Sequence, residues 1–195
     1  MRAGDNPFRT ERILAQRYRL RGFTWGELLD RCEAMRYRGA LIGPHGSGKT
    51  TLLEDLRPLL QERGFGTRFL RLDTDRHAFA PGFLRALFAQ TPAGDILLFD
   101  GAEQMHPCVW LWFRWRARRA AGLIVTTHRA GRLPTLWECR TSPELLAGIA
   151  ADLLAVPHGA LGESATWLFR KHHGNLRNAL REWYDWEADG QRVSG

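Results

Sequence analysis

The chain has 195 residues with a formal net charge of +7; 44% of its residues are hydrophobic and 25% are charged. This balance excludes a disordered chain and predicts one globular domain with a small appendage. Three cysteines without a CxxC pair argue against a disulfide framework and a zinc ribbon. No apolar run approaches the roughly 18 residues of a membrane helix, and the amino terminus lacks the apolar core of a signal peptide. We therefore expect a cytoplasmic protein without membrane contact.

The amino-terminal half of the chain alternates helix and strand signals. Thr24 and Glu27 match a capping box, which predicts a helix after Thr24. Pro58 is expected to kink or shorten a later helix, because proline has no amide donor. The other predicted elements of this half are a strand over 40–42, a helix beginning near residue 49, a strand over 67–72 and a helix over 81–89.

In the second half, residues 95–100 form a continuous apolar run closed by a carboxylate, as in a central parallel strand. The predicted elements that follow are a helix over 107–120, strands over 122–127 and 136–140, a helix from Ser142, and two helices over 163–187 separated by His173-Gly174. This alternation predicts an α/β fold with a five-stranded parallel sheet. The expected divisions are an amino-terminal extension and helix (1–36), a core (37–142) and a small helical lid (143–195).

A glycine-rich segment, GPHGSGKT at residues 43–50, matches GxxxxGK[ST] between a predicted strand and a predicted helix. Glycines let the backbone amides surround an anion, and the start of the helix adds a positive dipole end. Lys49 is predicted to bridge the β- and γ-phosphates of a nucleotide, and the Thr50 hydroxyl to hold Mg²⁺. The predicted nucleotide-binding residues are Gly43, Pro44, His45, Gly46, Ser47, Gly48, Lys49, Thr50 and Thr51.

Two acidic residues follow the predicted central strand. Asp100 ends that strand, where a carboxylate would order the Mg²⁺ shell together with Thr50; the alternative is a turn residue, since Asp-Gly is a common turn pair. Glu103 is the nearest carboxylate that could position the attacking water. The alternative for Glu103 is an acid in the first turn of the next helix.

Residues 43–50 together with Asp100-Gly101-Ala102-Glu103-Gln104 resemble a P-loop NTPase of the additional-strand type, similar to STAND and AAA-type ATPases. The resemblance covers about residues 23–187 and implies a three-layer fold with a small carboxy-terminal helical lid. It also implies that Thr126 or Thr127 occupies the sensor-1 position, and that Arg177 is a sensor-2 arginine contacting the γ-phosphate. Residues 23–27 resemble the box on the adenine side of such sites.

The sequence departs from this family pattern at two points. Gly101 stands where many hydrolytic ATPases have a glutamate, which leaves Glu103 as the nearest candidate for positioning water and supports the alternative of an ATP switch without hydrolysis. No arginine finger is identified; Arg129 and Arg132 are the nearest candidates, so ring assembly stays open. Neither lysine of the chain lies in the guanine-specific [NT]KxD pattern, and an adenine nucleotide is therefore favoured.

The predicted function is Mg²⁺-dependent ATP binding and hydrolysis that drives a conformational change in a protein partner or a homo-oligomer. The predicted catalytic residues are Lys49, Asp100, Glu103, Thr127 and Arg177, with Thr50 and Asp100 as metal ligands. One alternative is an ATP switch without hydrolysis. Another is a small-molecule or nucleotide kinase that uses Asp73 and Asp75, although both carboxylates also fit an ordinary turn.

Nucleic acid is a further candidate partner. The net positive charge would attract phosphates, but an arginine-rich composition explains it equally well. Between residues 110 and 119, three tryptophans alternate with arginines, a combination that stacks bases and binds phosphates. The alternative is that these tryptophans pack against the sheet or against a protein partner.

Overall fold

The computed structural model describes residues 17–20, 22–75, 77–157 and 159–188. Residues 1–16 of the predicted amino-terminal extension and helix (1–36) lie outside the described residues. The described residues form five strands and seven α-helices. The strands are β1 (Arg38–Ile42), β2 (Gly66–Arg71), β3 (Asp95–Asp100), β4 (Gly122–Thr127) and β5 (Thr135–Glu138). The α-helices are α1 (Trp25–Ala34), α2 (Lys49–Glu62), α3 (Phe83–Gln90), α4 (Pro107–Arg116), α5 (Pro143–Leu154), α6 (Gly162–Lys171) and α7 (Leu176–Ala188).

The five strands form one parallel sheet in the order β2-β3-β4-β1-β5. Both β3 and β4 are buried along their whole length, as their continuous apolar sequences predict for central strands. The predicted α/β fold with a five-stranded parallel sheet is confirmed. Because all strands are parallel, the ends of β2, β3 and β4 lie side by side at one edge of the sheet.

Helices cover the sheet. Trp110 and Phe113 of α4 pack in one apolar cluster with Leu97 and Phe99 of β3. Helix α2 contacts β1 to β4 and buries a stripe of four leucines, Leu52, Leu53, Leu56 and Leu60. Each fully buried leucine side chain contributes about 1.5–3 kcal/mol to stability. These apolar contacts fix the position from which α2 presents its first residues.

Two helix-boundary predictions have opposite outcomes. The capping box at α1 is confirmed: the Thr24 hydroxyl accepts from the Glu27 amide at 3.2 Å, and the Thr24 amide donates to the Glu27 carboxylate at 2.7 Å. The expectation that Pro58 shortens its helix is wrong, because α2 continues to Glu62. Pro58 and Glu54, the residue whose carbonyl loses its helical donor, are both exposed, so water can satisfy that carbonyl.

The described chain divides into two compact units. One, the sheet unit, comprises Tyr18–Gly43 and Lys49–Glu138; the other, the helical unit, comprises Pro44–Gly48 and the described part of Cys139–Gly195. In the helical unit, α5, α6 and α7 pack around the fully buried Trp183. The predicted separation of the last two helices is confirmed, since both His173 and Gly174 have positive φ between α6 and α7. No helix in the described part of the chain has the length and apolarity to cross a membrane.

Candidate functional site

The glycine-rich segment connects β1 to α2, as predicted, and α2 begins at Lys49. The Lys49 side chain is buried, with 8% of the residue exposed, and its Nζ donates to the carbonyl of Gly43 at 2.7 Å. The Ser47 hydroxyl is also buried and has no hydrogen-bond partner among the described residues. A buried cation and a donor without a partner on one short loop fit a phosphate group, which would satisfy both.

Asp100 lies at the centre of a polar cluster at the ends of β2, β3 and β4. The hydroxyl of Thr50, the second residue of α2, donates to Asp100 Oδ2 at 3.0 Å. Thr126 near the end of β4 donates to Oδ1 at 2.6 Å, and Arg71 at the end of β2 donates to Oδ2 from its Nε at 2.9 Å. A hydroxyl and a carboxylate oxygen side by side are ligands that Mg²⁺ accepts. The predicted metal ligands, Thr50 and Asp100, are therefore in contact.

The turn after β3 holds Asp100 in place. The amide of Gly101 donates to the Thr126 hydroxyl at 2.8 Å, so Thr126 contacts both the carboxylate and the backbone that follows it. Gly101 has a φ of +82°, and a Cβ there would overlap the carbonyl oxygen of Leu72. The Asp-Gly pair thus forms a turn and aims the carboxylate at the same time.

We expect Gly101→Ala to unfold at a lower temperature than wild type and to bind Mg²⁺-nucleotide less well, because the turn must shift. The left-handed backbone alone costs about 1–2 kcal/mol, and the overlap with Leu72 adds to it. Gly82→Ala is the matched control, since Gly82 has a φ of +80° and open space around its Cβ position. Thermal unfolding of both variants tests this; equal losses would show that the contact with Leu72 has no effect.

Glu103 lies on a short 3-10 turn (Ala102–Gln104) directly after this site. Its Oε1 is 3.2 Å from Nε2 of His128, and its Oε2 is buried without a hydrogen-bond partner among the described residues. Burial raises the pKa of Glu103, the nearby cations Lys49 and Arg132 lower it in part, and Asp100 raises it further. The side chain thus offers one oxygen held by histidine and one oxygen free to accept from water.

The polar residues at the end of β4 and in the loop after it make contacts in different directions. The hydroxyl of Thr127, the predicted sensor, donates to the carbonyl of Arg129 at 2.8 Å, whereas Thr126 contacts Asp100. Arg132 is turned inward: it donates to the Met105 carbonyl at 2.8 Å and lies over the Trp110 ring at 5.2 Å. Arg129 is exposed. Of the two arginine-finger candidates, Arg129 is therefore the one at the surface.

No protein-family model and no curated protein matches this chain. Its fold is similar to that of RuvB from Thermotoga maritima, described as a Holliday junction branch migration motor, with 21% identity and a TM-score of 0.54 over 80% of this chain. A substituted form of the same RuvB gives 19% identity and a TM-score of 0.54 over 81% of this chain. The chain spans about three fifths of the length of these RuvB chains, 58% and 60%.

The five-stranded parallel sheet with its helices matches the fold of these structures. The chain has the P-loop NTPase fold. Here the glycine-rich loop follows β1, and Asp100 at the end of β3 contacts Thr50 in the first turn of the helix after the loop. The similarity supports the fold and does not specify a particular type of NTPase.

In the helical unit, residues 44–48 of the glycine-rich loop pack against the start of α7. A Cβ at Gly46 would overlap the side chain of Asn175, and Asn175 Oδ1 accepts from the Asn178 amide at 3.1 Å, which caps α7. Arg177, the predicted sensor-2 residue, lies in the first turn of α7 with its side chain exposed. Only a glycine at position 46 leaves room for the capping side chain.

Two contacts of the site were not expected from the sequence. Arg71 pairs with Asp100, and His128 pairs with Glu103. Arg71 is opposite Asp100 in the β2-β3 register, which becomes visible only once the strand order is known. The aspartates of the kinase alternative form a turn instead: the Asp75 amide donates to Asp73 Oδ1 at 3.1 Å, and both are exposed.

Proposed function

We propose that this P-loop NTPase fold binds Mg²⁺-ATP and hydrolyses it, and that the cycle changes the conformation of a partner or of an assembly. The observation that carries the proposal is the Thr50–Asp100 contact at 3.0 Å, which comes directly after the buried Lys49. Phosphate loop, lysine, hydroxyl and strand-end carboxylate together are the donor set that phosphoryl-transfer sites use for nucleotide and metal.

Each side chain has a defined task in this proposal. Lys49 would exchange its bond with the Gly43 carbonyl for phosphate oxygens, and Ser47 would find in the phosphates the partner it lacks. Thr50 and Asp100 would hold Mg²⁺, which supplies charge neutralisation at the β- and γ-phosphates. Glu103 would accept a hydrogen bond from the attacking water through Oε2 and orient it towards the γ-phosphate.

Phosphate release from Mg²⁺-ATP tests the proposal, with the Lys49→Ala variant as the blank. Release by wild type above that blank supports hydrolysis. ATP binding without release contradicts autonomous hydrolysis and favours the ATP switch. Release that begins only when a small-molecule or nucleotide acceptor is added, with the phosphoryl group found on that acceptor, favours the kinase alternative.

The proposal also includes a partner that responds to the ATP cycle. A protein partner or a second copy of this chain would receive the conformational change, with Arg177 reporting on the γ-phosphate from the helical unit and Thr127 acting as the predicted sensor. Arg129 is exposed and is the available arginine-finger candidate. Support comes from the similarity to a RuvB that is described as a motor.

A second candidate function, nucleic-acid contact, is favoured by the exposed face of α4. Trp115 is 56% exposed and Leu111 58% exposed, and Arg118 and Arg119 follow at the surface. Residues 104–137 contain six arginines and no aspartate or glutamate. An exposed indole among arginines can stack on a base while the arginines bind phosphates.

We expect Trp115→Ala to weaken single-stranded DNA binding about tenfold, since stacking on one base contributes about 1–3 kcal/mol. Trp167→Ala is the matched control, because Trp167 is 51% exposed and lies on α6 in the helical unit. Fluorescence anisotropy with a labelled oligonucleotide at fixed salt measures both variants. Equal affinities of Trp115→Ala and wild type would contradict this contact.

A further inference from the structure

The carboxylate of Asp100 is already occupied by hydrogen-bond donors of the protein. Oδ1 accepts from Thr126 at 2.6 Å and from Thr50 at 3.2 Å, and Oδ2 accepts from Thr50 at 3.0 Å and from Arg71 at 2.9 Å. The single hydroxyl hydrogen of Thr50 is shared between the two oxygens, so the three donors occupy about three of the four lone-pair sites of the carboxylate. A metal ion that took Oδ2, directly or through bound water, would meet the guanidinium of Arg71 there.

Among the three donors to Asp100, Arg71 is the charged one, and it also contacts a second carboxylate. Its Nε contacts Asp100 Oδ2, and its Nη2 is 3.3 Å from Oε1 of Glu54 on α2. The Arg71 side chain is 47% exposed, and the Glu54 side chain 51% exposed, while that of Asp100 is 11% exposed. The guanidinium thus bridges a buried carboxylate and a surface carboxylate, and it can leave the first while keeping the second.

We propose that Arg71 is a displaceable cation that holds Asp100 when the site contains no metal, and that Mg²⁺ loading requires Arg71 to move onto Glu54. This inference rests on the proposed function, since it assigns Asp100 to the metal. Two cations that need the same carboxylate oxygen compete for it, and their like charges repel each other when both are close to it. By linkage, the Arg71–Asp100 pair weakens Mg²⁺ binding by the same factor by which Mg²⁺ weakens the pair.

The same two strands contain a matched ion pair outside the site. Arg68 on β2 donates to Asp95 at the start of β3 at 2.9 Å, with side chains 45% and 12% exposed, nearly the values of the Arg71–Asp100 pair. A variant of Arg68 therefore removes a similar surface charge and a similar strand-to-strand contact. A purely structural role of Arg71 predicts equal effects from both arginines, whereas competition with Mg²⁺ predicts an effect from Arg71 alone.

The test follows the binding of a fluorescent ATP analogue across a series of Mg²⁺ concentrations, with EDTA as the metal-free reference. We expect Arg71→Gln to lower the half-saturating Mg²⁺ concentration about threefold, the size expected for a partly exposed ion pair. Glu54→Gln should raise that concentration, because Arg71 loses its second carboxylate. Arg68→Gln should leave it unchanged.

A double variant shows whether Glu54 acts through Arg71. If it does, adding Glu54→Gln to Arg71→Gln changes nothing further, because the two side chains belong to one coupled unit. An unchanged or raised half-saturating Mg²⁺ concentration in Arg71→Gln would overturn the inference, and so would an equal shift in Arg68→Gln. Should Arg71→Gln fail to fold by circular dichroism, Glu54→Gln decides: a rise supports competition, and no rise overturns it.

The result that would contradict the proposed function differs from the result that would contradict the inference alone. Wild type that binds no nucleotide at any Mg²⁺ concentration would contradict the function, and the inference with it. Wild type that binds with a normal Mg²⁺ dependence, while Arg71→Gln shows the same dependence, would contradict the inference alone.

Discussion

Lys49→Ala is expected to weaken ATP binding at least about a hundredfold and to remove phosphate release. Lys49 is buried at the start of α2, and its ammonium now contacts the Gly43 carbonyl, so its removal leaves the phosphates without a buried cation. Truncating one partner of a buried charge pair costs about 2–5 kcal/mol, which corresponds to this loss. Isothermal titration with a non-hydrolysable ATP analogue measures it.

The chain supplies a precise control for this variant, because Lys171 is the other of its two lysines. Lys171 pairs with Glu182 in the helical unit and is 46% exposed. Lys171→Ala changes the net charge equally and is expected to bind ATP as wild type does. Similar losses in both lysine variants would show that Lys49 has no specific role and would contradict a nucleotide site in the glycine-rich loop.

Glu103→Gln is expected to lower phosphate release at least about a hundredfold while ATP binding is kept, because a positioned base contributes about 10²–10⁴ to the rate. Glutamine keeps the size of the side chain but cannot accept the proton of water. Phosphate release and ATP binding, measured on the same preparation, separate the two effects. Release at the wild-type rate would exclude Glu103 as the base and leave it as an acid that pairs with His128.

The pH dependence follows from the same carboxyl group. Burial raises the pKa of Glu103 above its ordinary value of 4.5, and the base works only when ionised. The rate of phosphate release should therefore fall on acidification at a pH above 4.5, and this acidic limb should be absent from the residual activity of Glu103→Gln. An unchanged limb in the variant would assign the titration to another group.

As the pH falls, the contribution of Glu103 to the stability of the protein should increase, whereas the rate of phosphate release should decrease. For an acid whose pKa is raised on folding, the stabilisation from the neutral form is complete below the unfolded pKa and is lost as the pH rises through the folded pKa. Above its folded pKa, the ionised, buried Glu103 therefore destabilises the fold. Glu103→Gln should unfold at a higher denaturant concentration than wild type at pH 7, and the difference should shrink below pH 4.5.

Patterns of neighbouring residues predicted several of the strands and helix boundaries of this protein. The continuous apolar runs of β3 and β4, the capping box at Thr24 and the break at His173-Gly174 depend on neighbouring residues, and each was predicted from them. The expected shortening of helix α2 at Pro58 is wrong because the helix is held by four buried leucines, whose packing outweighs the loss of one exposed backbone hydrogen bond.

The sequence by itself determined the α/β fold, the glycine-rich loop and the pairing of Thr50 with Asp100, because the spacing of strand, loop and helix is fixed along the chain. Only the tertiary structure decided which side chains surround Asp100 and Glu103. Arg71, Thr126 and His128 reach them because the order β2-β3-β4 places the ends of three strands side by side, and no local pattern encodes that order. Burial of Glu103, and with it the raised pKa, arises from the same packing.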